Sequence, residues 1–230
     1  IEIVIFPGFQ IVDVAGPVGA FEIASEFAPG AYALKLTASK PGIVASSSGI
    51  AMPAQALGRA RIDTLIVSGG RGTGAAMEDK ALLAALKRAP TRARRVASVC
   101  SGAFVLAAAG LLDGKQATTH WRRAPQFARL FPNVRVEADR IYVQDGQVWT
   151  SAGVTAGIDL ALAMIEADLG AEIASEVARE MVVYAKRPGG QAQHSALLDL
   201  DAPRFAELHA WMRDHLGADL SVERLAAGPR

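Results

Sequence analysis

The chain has a single cysteine, Cys100, and its neighbours make it a candidate nucleophile. A β-type run from Val96 to Val99 leads into it, Ser101 and Gly102 follow, and an apolar helical pattern then runs to a stop at Gly110. A thiol at such a strand-turn-helix junction faces the unsatisfied N–H groups of the first helical turn. That environment favours the thiolate and predicts a pKa below the ~8.5 of a free cysteine. Small neighbours let the backbone bend sharply, as the glycines of a hydrolase nucleophile elbow do. A buried structural thiol is the alternative.

Other groups are placed to join it. Asp13 falls just after the first strand, at the sheet edge where parallel folds gather ligands; it could handle protons there or cap a helix. Ionised, it would raise the thiol pKa; protonated, it could donate a hydrogen bond to sulfur. Gly69 and Gly70, with the backbone of Ser101, could aim N–H groups at an anion or a developing oxyanion, or the glycines could serve only as a turn. His120 could act as base for Cys100 or sit structurally beside Trp121. The Gly69–Gly74 stretch ends without the Lys-Ser/Thr of a P-loop and lacks the dinucleotide spacing. Neither a cofactor nor a metal is expected.

The elements that must position these groups alternate. Strands are expected at Ile1 to Phe6, Tyr32 to Ala38, Asp63 to Ser68, Val96 to Val99 and Gln116 to Thr119, with a short ribbon over Val44 to Met52. A hairpin is expected over Arg140 to Val143 and Gln147 to Thr150. Helices are expected with Pro17 at the first position of one, and through Leu82 to Leu86, Phe127 to Leu130, Ile158 to Leu169, and Ile173 to Tyr184. This pattern predicts an α/β sandwich around a mostly parallel sheet. A linker follows over residues 188–201. Beyond it Phe205, Leu208, Met212 and Leu216 form one helical stripe closed by Gly217, and Ser221 caps another helix with Leu220 and Leu225 as a staple.

With 230 residues, 51% of them hydrophobic, the chain can build a large core. A net charge of +1 announces no nucleic-acid field. One cysteine, no signal-like opening and no long apolar run lead to the expectation of a cytoplasmic, membrane-free protein. The basic cluster Lys87, Arg88, Arg92, Arg94 and Arg95 reads as a solvated helix-loop edge.

Five stretches, in order, resemble the ThiJ/PfpI (class I glutamine amidotransferase-like) superfamily. They are Asp13-Val14-Ala15-Gly16-Pro17, Ser68-Gly69-Gly70, Ser98 through Ala103, Thr118-Thr119-His120-Trp121, and Thr150 through Asp159. The likeness covers residues 1–187 and implies a flavodoxin-like fold with a nucleophile-elbow cysteine. One branch resembles isonitrile hydratase, implying Cys100 as nucleophile and Asp13 as its acid partner. The other resembles the sensor domain of AraC-family transcription regulators, and the tail favours it: 202–230 looks like the start of their helix-turn-helix domain. Ser101 stands where peptidase-like relatives carry histidine. The regulator resemblance implies a small-molecule effector, a homodimer, and duplex DNA bound only by the full-length protein. From Asp199 onwards the sequence carries six acidic residues against four basic ones and stops before a recognition helix.

Overall fold

The computed structural model describes residues 1–58, 60–184, 186–193, 206–217 and 220–221. In chain order the first unit contains β1 (Glu2–Val4), α1 (Ile11–Phe27), β2 (Lys35–Ala38), β3 (Gly42–Ala45), β4 (Ala51–Ala56) and β5 (Ile62–Val67). It continues with α2 (Thr73–Glu78), α3 (Lys80–Lys87), α4 (Ala89–Arg92), β6 (Ala93–Val99), α5 (Gly102–Ala108), β7 (Gln116–Ala117) and α6 (Ala124–Leu130). The last elements are β8 (Arg135–Val136), β9 (Tyr142–Asp145), β10 (Val148–Ser151), α7 (Ala156–Leu169) and α8 (Ala171–Glu180).

Eight strands form one sheet in the order β3-β4-β2-β1-β5-β6-β10-β9. Strands β4, β2, β1, β5, β6 and β10 run parallel, while β3 and β9 are antiparallel at the two edges. The inner strands carry Ile3, Val4, Leu65, Ile66, Val67, Val96, Ala97 and Val99, all buried, as a sheet covered on both faces requires. Helices α1, α7 and α8 pack together over one face, and α2, α3 and α5 over the other. The order β2-β1-β5-β6-β10 is that of a flavodoxin-like doubly wound sheet, whose strand order reverses between β1 and β5. Register sets the site: Val4 lies beside Val67, Val67 beside Ser98, and Val99 beside Ser151. The loops after β1, β5, β6 and β10 therefore leave the same edge at nearly the same level.

Several local expectations are revised. Helix α1 begins at Ile11, so Pro17 lies inside it rather than at its first position. Pro17 has no N–H to give the Asp13 carbonyl one turn back. Strand β7 pairs with β8 in a separate two-stranded ladder, apart from the main sheet. Helix α8 ends at Glu180, and Tyr184 is fully exposed instead of extending its stripe. The basic cluster is no simple solvated edge. Arg92 is buried and ion-paired to the buried Glu2 at 3.1 Å, and buried Arg95 pairs with Asp168 and Asp63. A carboxylate in the interior needs such a cation to offset its desolvation.

The first compact unit runs Ile1–Gln193, so residues 188–193 of the expected linker belong to it. The remainder of that linker lies outside the described residues. In the second unit a helix spans Ala206–Asp214, followed by a turn to Gly217. The expectations placed on Phe205 and Leu225 also fall outside the described residues.

Candidate functional site

Cys100 stands at the turn between β6 and α5 with φ of 56°, a left-handed conformation that an L side chain adopts only when its surroundings enforce it. Those surroundings are visible. Its N–H donates to the Ser151 carbonyl at 3.0 Å, and its carbonyl accepts from the Thr119 hydroxyl at 2.9 Å. Gly153, itself at φ +90°, presses so close that a Cβ there would lie 2.1 Å from the Cys100 Cβ. A Cβ on Gly69 would lie 2.7 Å from Asp13 Oδ2 and 2.8 Å from the Cys100 Cβ. Glycine at these two positions lets three loops meet around one thiol.

Asp13 is in the first turn of α1 and is fully buried. It does not cap its own helix. Oδ1 accepts the Val154 N–H at 2.7 Å, and Oδ2 accepts the Gly69 N–H at 3.2 Å. Burial raises its pKa to about 6 against the pull of those two donors. Asp13 also lies close enough to the Cys100 side chain for each to shift the other's pKa. The carboxylate thus ties together the segments after β5, β6 and β10.

The thiol behaves opposite to the sequence-based expectation. Burial first, and the Asp13 charge second, push Cys100 up to about 12, while hydrogen bonding from Ser101 pulls the other way. Helix α5 is only seven residues long, and its dipole does not outweigh desolvation beside an anion. These shifts favour a neutral thiol beside a carboxylate near neutral pH.

Gly70 and Ser101 do meet, in a closed ring. The Gly70 N–H donates to Ser101 Oγ at 3.0 Å, Ser101 Oγ and Thr73 Oγ1 lie 2.7 Å apart, and Thr73 Oγ1 donates to the Gly70 carbonyl at 2.7 Å. The backbone donors of Gly69 and Gly70, expected to face a developing oxyanion, are therefore engaged by Asp13 and Ser101. His120 occupies the loop after Thr119. Its ring stacks beside Trp121, its Nδ1 accepts the Arg122 N–H at 3.3 Å, and burial with Arg122 and Arg123 lowers its pKa. Among the described contacts, the titratable partner of the thiol is Asp13 and not His120. No group of three or more His, Cys, Asp or Glu among the described residues could hold a metal ion.

The sequence assigned no role to Thr73, Thr119 or the Gly153-Val154 pair, although Thr119 and Gly153-Val154 lie within two of the motif stretches. Val154 has φ of 53° and donates its N–H to Asp13. Chemically, the arrangement can add sulfur to an electrophilic carbon with Asp13 accepting the proton, or it can recognise a polar ligand without turnover.

The chain is similar to several known proteins. The DJ-1/PfpI family pattern matches residues 1–167. An isonitrile hydratase from Pseudomonas putida is 44% identical over 107 residues, covering 46% of this chain and 45% of that protein. The HTH-type transcriptional regulator GlxA of Rhizobium meliloti (strain 1021) is 38% identical over 127 residues, covering 54% of this chain and 39% of that protein. The chain thus spans less than half the length of these two relatives. The crystal structure of a ThiJ/PfpI family protein from Pseudomonas syringae superposes with a TM-score of 0.72 at 29% identity, covering 90% of this chain and 86% of the other. The family pattern covers well over half of the chain and the fold agrees with it, and the chain belongs to the DJ-1/PfpI family.

Proposed function

We propose that this chain is the ligand-sensing part of an AraC-type transcription regulator, with Cys100 and Asp13 at the base of the effector site. The observation that carries the reading is chain organisation. The family domain closes as a compact unit at Gln193, and the sequence goes on into a second unit with its own helix, Ala206–Asp214. A few helical turns cannot bury a core alone, so they belong to a larger output module. One relative, GlxA, is an HTH-type transcriptional regulator, which supports the reading. The site chemistry is compatible with sensing: a neutral thiol and a carboxylate with both oxygens engaged form a fixed polar surface, as recognition requires. Paired half-sites on DNA would call for a homodimer.

A second reading has its own support in the closeness of Asp13 and Cys100, both beside Gly69, and in the hydratase likeness. In it, Cys100 sulfur bonds to the terminal carbon of an isonitrile while its proton passes through Asp13 to that carbon. Water then displaces the thiol and leaves a formamide.

The test is DNA binding by the product of the complete coding sequence, compared with these 230 residues alone. Binding that falls steeply with salt in the first and is absent in the second supports the regulator reading. Equal, negligible binding by both, with isonitrile hydration abolished by Cys100→Ala, would replace it with the enzyme.

A further inference from the structure

The segment leaving the sensing unit, residues 187–193, is fastened at both ends to the two loops that hold the Asp13–Cys100 pair. At its start, the Arg187 guanidinium donates to Asp159 Oδ2 at 2.6 Å and to Thr155 Oγ1 at 3.1 Å, and the Arg187 N–H donates to Asp159 Oδ1 at 3.1 Å. Thr155 directly follows Val154, whose N–H holds Asp13. At its end, Gln193 Nε2 donates to the Thr119 carbonyl at 2.9 Å and the Ala138 carbonyl at 3.0 Å, and Oε1 accepts the Trp121 N–H at 2.8 Å. Thr119 is the residue whose hydroxyl holds the Cys100 carbonyl. Carbonyls on one side of the amide and an N–H on the other fix its orientation.

Between these ends the attachment is through backbone groups. The Ile141 N–H donates to the Gly189 carbonyl at 3.0 Å, and Arg140 donates to the Gly190 carbonyl at 2.7 Å. A cleft of 240 Å³, lined by Tyr142, Asp159, Leu162, Glu166, Arg187 and Pro188, lies beside the start of the segment. Gly189 sits tightly against Tyr142, but the other attachments are polar bonds beside open space, which lets a segment undock without unfolding its neighbours.

We infer that residues 187–193 form a coupling strap: it reads the hydrogen-bond state of the Asp13–Cys100 pair from both flanks and hands it to the chain beyond Gln193. The inference rests on the sensing role proposed above and supplies its transmission element. A ligand or modification that displaces Asp13 from the Val154 N–H loosens the Thr155–Arg187 attachment. One that shifts the Cys100 backbone loosens the Thr119–Gln193 attachment. Coupling of this kind is reciprocal in free energy, so releasing the strap is expected to change access to the thiol in turn.

The test uses the 230-residue chain and no DNA. Hydrogen exchange across 187–193 is compared in the wild type and Asp13→Asn. Iodoacetamide alkylation of Cys100 is compared in the wild type, Gln193→Ala and Arg187→Ala, with Lys186→Ala as control because its ion pair runs to Glu166 instead. The expected result is exchange across the strap at least about tenfold faster in Asp13→Asn, with α8 unchanged, and alkylation about tenfold faster in both strap variants but not in the control. Strap exchange unaffected by Asp13→Asn, or alkylation identical in all four proteins, would overturn the inference. Coupling without DNA binding by the complete gene product would overturn the regulator reading alone; DNA binding without coupling would overturn the strap alone.

Discussion

The Val154 N–H donates to Asp13 Oδ1 at 2.7 Å across 141 residues of sequence, joining the loop after β10 to the first turn of α1. Because Oδ2 takes the Gly69 N–H from a third loop, one buried carboxylate organises the whole C-terminal edge of the sheet around Cys100. Consequences for charge, stability and packing follow from that position.

Removing the Asp13 charge is expected to bring the thiol pKa down without returning it to the free value. Burial is the larger cause of its elevation and the carboxylate the second. In Asp13→Asn, Cys100 is expected to react with iodoacetamide roughly tenfold faster near neutral pH, as a fall of about one pKa unit implies. A rate unchanged or slower would mean that the carboxylate does not act on the sulfur.

Asp13 also makes stability depend on pH in an identifiable window. Its folded pKa is raised to about 6 from 3.8, so folding favours the protonated form. That contribution is fully present below about pH 4 and is lost as pH rises through about 6, amounting to roughly 3 kcal/mol. Urea denaturation of the wild type and Asp13→Asn should show their stability difference shifting by that order against the wild type between acid and neutral pH. Parallel profiles would contradict the shift.

Two glycines with positive φ should respond very differently to alanine. At Gly153 the new Cβ meets the Cys100 Cβ at 2.1 Å, whereas at Gly110, φ +75°, nothing lies within 4 Å. Gly153→Ala is expected to cost about 3 kcal/mol or more through overpacking and backbone strain. Gly110→Ala is expected to cost about 1 kcal/mol. Thermal unfolding of both variants checks the order, and similar losses would mean that the Gly153 loop relaxes freely.

The Gly70–Ser101–Thr73 ring predicts a penalty for an isosteric change. Thr73→Val keeps the shape but removes the hydroxyl between Ser101 Oγ and the Gly70 carbonyl, which are left with their weaker mutual contact at 3.4 Å, costing about 1 kcal/mol by denaturant titration. No loss would show that water substitutes for the hydroxyl.

Much of the architecture was legible because it depends on local pattern. Runs such as 63–68 and 96–99 read as buried strands of a mostly parallel sheet, and the change from strand to helix around Cys100 announced the turn. Asp13 was legible for a similar reason, lying just past β1. What the sequence did not disclose depends on residues far apart in the chain. The start of α1 at Ile11 is set where the loop meets the sheet edge, not by Pro17. The thiol pKa depends on burial and on a carboxylate brought from another loop, so helix position alone suggested the wrong direction. Residues 188–193 read as a linker from their Gly-Gly and polar composition. Only the tertiary structure shows Gln193 satisfying the carbonyls of Thr119 and Ala138.

The most direct test of the central claim, that Cys100 is held as a neutral thiol beneath Asp13 for recognition, is a thiolate titration. With one cysteine in the chain, ultraviolet absorbance of the thiolate reports Cys100 alone once the tyrosine contribution is removed by subtracting Cys100→Ala. Little thiolate is expected until well above the ~8.5 of a free cysteine. A midpoint at or below that value would show an activated nucleophile and contradict the proposed sensing site.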